Sequence, residues 1–166
     1  IREALSITIN QQDIIDYVTM GNQSPAAGIV PPFVGYNSPG DIKFDPDKAK
    51  RLLKDAGYHN REGFPKINFL TTDRESSKRL AEALQAMWKK YLGIEISIQQ
   101  MEWTSYLNTM MSKEYDLAAG GWIGDYMDPL TFLDMWIKDG GNNRTNWSSD
   151  EFEELLGEAE RTAGQK

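Results

Sequence analysis

Apolar residues fall into helical stripes and short extended runs that alternate along the chain. Leu5 and Ile9 lie one turn apart, in what reads as a helix end over residues 1–9. Asn10 and Asp13 resemble a cap for a second helix carrying Ile14, Ile15 and Val18. Asp45-Pro46 opens a clear helix, with the acid at the N-cap and proline in the first turn. Ala49, Leu52, Leu53 and Ala56 form its face and Gly57 closes it. Lys66–Thr72 reads as a strand. Leu80, Leu84, Met87, Trp88 and Tyr91 share one side of a helix over 75–92, which Gly93 stops. Ile94, Ile96 and Ile98 alternate with polar residues, the period of a strand with one buried face. Trp103, Tyr106, Leu107, Met110 and Met111 fit a further helical stripe. Residues 116–123 read as a third strand, more buried than the other two. The pattern then predicts a short helix over 129–137 and a polar loop over 140–146. A capping box from Ser148 to Glu151 precedes a last helix carrying Phe152, Leu155 and Leu156.

Strands alternating with helices predict an α/β (α+β) lobe, a small mixed sheet flanked by helices. At 166 residues the chain suits a single domain with a sizeable core. Its parts are a helical start, a long loop over 20–44, a helix and strand core over 45–137, and a loop with the last helix over 138–166. The 20–44 loop holds four of the seven prolines. Ordered loops of this length are often functional, and merely wrapping the lobe is the alternative.

Composition narrows the classes. Apolar residues make up 40% and charged residues 26%, ordinary for a soluble globular domain. A net charge of −7, without a basic cluster interleaved with aromatics, argues against nucleic acid or an anionic membrane surface as partner. The chain has no cysteine, which removes disulfides, thiolate metal sites and cysteine nucleophiles together. No apolar run reaches transmembrane length and no signal-peptide pattern is present. Ile1 enters a helical pattern with no capping residue ahead of it, so a cut inside an element is expected.

The most informative stretch runs from Tyr115 to Pro129. Four small residues, Ala118 to Gly121, leave almost no side chain on either face of the third strand, so a packed helix or a ligand main chain must lie close. Trp122 follows, and Asp125 stands among aromatics and glycine. Backbone edge, aromatic wall and one anion suit a peptide-like guest with a cationic end. The rival readings are a solvated loop acid for Asp125 and core positions for Trp103 and Trp122. Enzymatic readings are weaker. The single histidine, His59, sits in a turn beside Asn60 and Arg61 and reads as a surface residue, so a serine triad is not supported. Asp125 and Asp128 beside Trp122 and Trp136 could suit a glycoside hydrolase. Residues three apart in a loop rarely face each other across a substrate, however, and Asp128-Pro129 reads as a helix cap. Asp125, Asp128 and Asp134 match no calcium loop, and no metal or other cofactor is called for.

The segment "GGWIGDYMDPLTFLDMW" resembles the solute-binding proteins of oligopeptide and dipeptide ABC transporters, the extracellular solute-binding protein family 5. So do "REALSITINQQDII", "PPFVGYNSPGDIKFDPDKAKRLLKDAGY" and "KRLAEALQAMWKKYLGIEISIQQMEWTSYL" upstream, in the same order and over nearly the whole chain. Family members are about three times longer, so the resemblance implies an excised second lobe of a two-lobed protein. It implies an oligopeptide as ligand, the missing first lobe and a membrane permease as partners, and an extracytoplasmic bacterial location, in the periplasm or at the surface as a lipoprotein of the parent. The Asn-X-Ser/Thr sites at Asn22, Asn143 and Asn146 are discounted on the same ground. The resemblance places Trp103 and Trp122 at the cleft, gives Gly121, Trp122 and Ile123 main-chain contacts to the guest, and makes Asp125 the acceptor of its α-ammonium. Positions that carry carboxylate-binding cations in some members are Met110, Ala119 and Ser77 here, which leaves no obvious fixed cation for a carboxylate. A dipeptide, a nickel chelate, haem or an opine-like solute is the alternative ligand within the family; a pure interaction module is the alternative outside it.

Overall fold

The computed structural model describes residues 1–33, 35–40 and 42–163. Its centre is strand β1, Ile67–Thr72, with the burial expected of a strand covered on both faces. β2, Ile96–Met101, pairs with it on one side and β3, Leu117–Ala118, on the other, giving the order β2-β1-β3. Both pairings are parallel, with Ile67 opposite Ile96 and Phe69 opposite Leu117. The sheet is therefore parallel where a mixed one was expected. Each return to its start is made by a helix: α4, Glu75–Leu92, before β2, and α5, Trp103–Ser112, before β3.

Adjacent side chains of β1 serve opposite cores, as the two-residue period of a strand requires. Phe69 points into the larger one, with Ala4, Leu5 and Ile7 from α1 (Arg2–Ser6) and the residue after it, and Ala49 and Leu53 from α3 (Pro46–Asp55). Ala81, Leu84, Trp88 and Leu92 of α4, with Ile94 and Ile96, complete it. Trp88 is the anchor. It is 2% exposed, meets Phe69 edge-on, and donates its indole N–H to the Leu5 carbonyl at 2.9 Å. Leu70 points the other way, against Tyr106 and Met110 of α5.

Caps close the helices where polar residues foretold them. Asn10 accepts from Asp13 N–H before α2, Gln11–Ile14, which runs on as a π-turn over Ile15–Thr19. Asp45 accepts from Lys48 N–H, and Gly93 ends α4 at φ 62°. The last helix, α7 (Asp150–Ala163), is capped by Ser149, which accepts from Phe152 N–H, not by Ser148. Glu153 on the same helix accepts from Lys138 N–H. The expected apolar stripes narrow in places, with Ala56, Met111 and Leu155 exposed.

The third strand departs most from expectation. It spans two residues rather than eight, and both are only half-buried. Ala119 N–H still donates to Leu70 O, but the pairing ends there. Glycine loses much backbone entropy on extension and offers no side chain to hold it, so Gly120 and Gly121 release the chain from the sheet. The 20–44 loop is pinned across its base by Gln11, whose amide accepts from Ala26 N–H and donates to Ala26 O.

Candidate functional site

A parallel sheet brings the ends of its strands to one edge, and that edge collects almost every candidate residue. Arg74 and Ser77 follow β1, Trp103 follows β2, and Ala119 to Asp125 follow β3. The crevice outside the carboxyl ends of the strands is where open α/β sheets bind ligands.

Trp103 opens α5 and is set by the residue before it. Glu102 accepts from the backbone N–H groups of Thr104 and Ser105, a cap that keeps its carboxyl below the ordinary carboxylate range. Trp103 is 48% exposed and stacks on Tyr106 at 5.6 Å. Tyr106 is itself buried, and its hydroxyl donates to Ala119 O, which joins the α5 end of the edge to the β3 end. Met110 is buried beneath Ala118 and Gly120, so it packs the floor instead of offering a free surface. Ser77 accepts a 2.7 Å hydrogen bond from the Thr72 hydroxyl.

The glycines of the loop have different reasons. A Cβ on Gly124 would sit 2.8 Å from Phe132 Cζ and 3.0 Å from Thr131 Cγ2, because α6 (Leu130–Leu133) packs on the loop there. A Cβ on Gly121 would meet nothing within 4 Å. The close neighbour of the small-residue run is thus α5 at its start and open space at Gly121. Gly124→Ala is expected to cost about 1–3 kcal/mol of stability by overpacking. Gly121→Ala should stay within about 0.5 kcal/mol. Urea unfolding of both variants checks this, and equal losses would contradict it.

Trp122 is half-buried, with its indole N–H out of water and without a partner among the described residues. Ile123 is 89% exposed. Asp125 is exposed and its backbone N–H donates to Thr131 Oγ1, which fixes the turn that carries it. Asp128, by contrast, accepts from Leu130 N–H and acts as the cap of α6. Tyr126 shows the charge of the region. Burial first, then the carboxylates of Asp134, Asp128, Asp125 and Glu160, push its phenol above the ordinary value. The loop is therefore a region of negative potential that favours a cation. No group of acids or histidine among the described residues is arranged to hold a metal ion.

The other features lie apart. His59 is exposed, in a turn beside a shallow cavity of about 270 Å³ lined by Lys50, Lys54, Tyr58, His59 and Arg61. Leu92 also lines it, which places it at the amino edge of the sheet. Asn143 is buried and braces the 140–146 loop. Its amide lies 3.1 Å from the carbonyls of Trp136, Ile137 and Trp147.

Residues 1–144 match the model of the bacterial extracellular solute-binding proteins, family 5, middle region. The chain belongs to this family. Among the family-5 proteins, it is 34% identical over 169 residues to the oligopeptide-binding protein OppA of Bacillus subtilis, covering 96% of this chain and 31% of that one. Heme-binding protein A of Haemophilus influenzae is also 34% identical, over 96% of this chain and 30% of its own length. The crystal structure of a periplasmic oligopeptide-binding protein from Borrelia burgdorferi superposes with a TM-score of 0.87 at 33% identity, covering 95% of this chain and 32% of that one. The chain thus spans about a third of the length of these family-5 relatives, and its fold is that of their corresponding region.

Proposed function

We propose that the chain is one lobe of an extracytoplasmic peptide-binding protein that delivers oligopeptides to an ABC transporter permease. The observation that carries this reading is the composition of the carboxyl edge. Aromatic surface at Trp103 and Trp122, open main chain at Gly121 and an exposed anion at Asp125 share one edge of the sheet. A peptide lying extended there would use Gly121, Trp122 and Ile123 for main-chain hydrogen bonds, with its side chains in solvent-filled pockets. Asp125 would receive the α-ammonium. Closure of the other lobe would cover exposed groups such as Ile123 and Trp103 and exclude water from the ion pair.

The protein of this proposal binds and releases its ligand unchanged. The second carboxylate that a glycosidase would need, Asp128, is engaged as a helix cap. An anchored parent, carrying a lipoprotein signal ahead of the other lobe, accords with the extracytoplasmic setting that the family name gives.

The test is calorimetric titration of a mixed tetra- to octapeptide pool into the full-length parent and into this chain alone. Saturable binding is expected from the parent. Weak or no binding is expected from the chain, where a wet ion pair is worth only about 0–1 kcal/mol. Tight binding by the chain alone would overturn the two-lobe account. Because a relative is named for heme and another for dipeptides, hemin and dipeptides form parallel arms. Binding of either in place of oligopeptides would overturn the ligand class.

A further inference from the structure

The hollow at the amino edge of the sheet differs in charge from the rest of the chain. Lys50 and Lys54 reach it from α3, one turn apart, and Tyr58, His59 and Arg61 reach it from the turn that follows. Buried Leu53 and Leu92 give it an apolar floor. Three permanent cations and a histidine thus line about 270 Å³ in a chain of net charge −7, and none of the described lining residues is acidic. Asp55 and Glu62 adjoin the turn in sequence but do not line the hollow. The turn is firmly set. Asn60 and Arg61 both take left-handed φ values, 55° and 69°, which residues other than glycine keep only where their surroundings over-determine them. Tyr58 N–H donates to Leu53 O, Arg61 N–H to Tyr58 O and Phe64 N–H to Arg61 O. The Arg61 side chain donates to Leu92 O at 3.1 Å and lies against Gly93, where a Cβ would collide with its guanidinium.

We propose that this hollow is an anion site for a phosphate group, separate from the peptide edge. Its donors suit a tetrahedral oxyanion: two ammonium groups as compact charges, a guanidinium with a planar fork, an imidazole and a phenol. Its volume falls below the roughly 300–1,000 Å³ of pockets that enclose drug-sized ligands, so it takes a compact group whose remainder, if any, stays in solvent. Helix ends explain part of the charge, since Lys54 stands in the last turn of α3 and Arg61 meets a terminal carbonyl of α4. They do not explain why Lys50 and His59 converge on the same hollow. Lys50 meets Asp47 at 3.1 Å, but both ends of that pair are exposed, so it competes only weakly with a bound anion. Arg61 spends one of its five N–H donors on Leu92 O. The hollow and the Trp103–Asp125 edge lie at opposite ends of β1, six residues or roughly 20 Å apart. An anion can therefore occupy it whether or not the peptide edge is filled.

The experiment titrates inorganic phosphate into the full-length parent, made without an acyl anchor, in a chloride buffer of constant ionic strength. Phosphorus nuclear magnetic resonance reads the bound fraction. Saturable binding is expected. Lys50→Gln combined with Lys54→Gln should weaken it by about 3- to 20-fold, the range of two partly exposed charge contacts. Lys78→Gln combined with Lys138→Gln makes the same change of net charge away from the hollow and should weaken it by no more than about twofold. All four lysines are exposed, so both pairs should melt as the wild type does. A second arm measures co-sedimentation with vesicles of phosphatidylglycerol and phosphatidylcholine, with phosphatidylcholine alone as the control. Phosphate binding that the Lys50/Lys54 pair loses assigns a soluble phosphate, and vesicle binding that the same pair loses assigns a lipid headgroup; either supports the proposal. No saturable binding in either arm, or equal losses in the two pairs, would overturn it and leave the peptide reading intact.

Discussion

Asp125→Asn in the full-length parent is expected to weaken oligopeptide affinity by roughly 150- to 4,000-fold, the equivalent of about 3–5 kcal/mol. In the chain alone Asp125 is exposed, and an ion pair there would be nearly worthless. The large figure comes from closure. With a second lobe over the site, as proposed, a peptide ammonium without its carboxylate would be a buried, uncompensated charge. The structure supplies the conditions for this. The Asp125 backbone is tied to Thr131, Gly124 packs under Phe132, and the neighbouring carboxylates that act on Tyr126 make the loop favourable for a cation. Calorimetry or tryptophan fluorescence on both proteins reads the change. Asp128→Ala is the contrasting variant. Its carboxylate caps α6 and faces the backbone, so it should alter stability more than affinity.

The second large effect concerns the scaffold. Trp88→Ala is expected to cost about 3–5 kcal/mol of folding free energy, a large fraction of the stability of a domain this size. Trp88 is 2% exposed, contacts Phe69 of the central strand, and tethers α1 through the Leu5 carbonyl. Truncation opens a cavity between α4 and the sheet and removes one of the two donors to that carbonyl, the Thr8 hydroxyl being the other. Trp88→Phe fills most of the space but lacks the indole donor, and should cost about 1–3 kcal/mol. Urea unfolding of the chain and both variants, followed by far-ultraviolet circular dichroism, gives the values. A loss below 1 kcal/mol for Trp88→Ala would show that the larger core does not hold the lobe together.

The framework was legible because its signals were local. Asp45-Pro46, Gly57, Gly93 and the alternation of Ile94, Ile96 and Ile98 each fix one element through capping or periodicity. The third strand was misjudged because small apolar residues read equally as a buried strand and as its end. Only pairing decides between them, and β1 pairs with Leu117 and Ala118 and gives Ala119 one last hydrogen bond. Parallel pairing was hidden for the same reason, since strand direction depends on which strands meet. The candidate residues were named from their motif. Their assembly could not be read there, because Ser77, Trp103 and Asp125 lie on three connections that only the strand order β2-β1-β3 brings to one edge. Ser149 took the cap assigned to Ser148, a one-residue shift that periodicity cannot resolve.

The central claim is that a peptide lies along this edge with its ammonium at Asp125. The most direct measurement is the affinity of the full-length parent for one peptide with a free and with an acetylated N-terminus, repeated in Asp125→Asn. Acetylation should weaken binding to the wild type by at least about 100-fold and cost the Asn variant far less, since both changes remove the same pair. If acetylation and Asp125→Asn each leave affinity within about threefold, Asp125 is a solvated loop acid and the site has been assigned to the wrong residues.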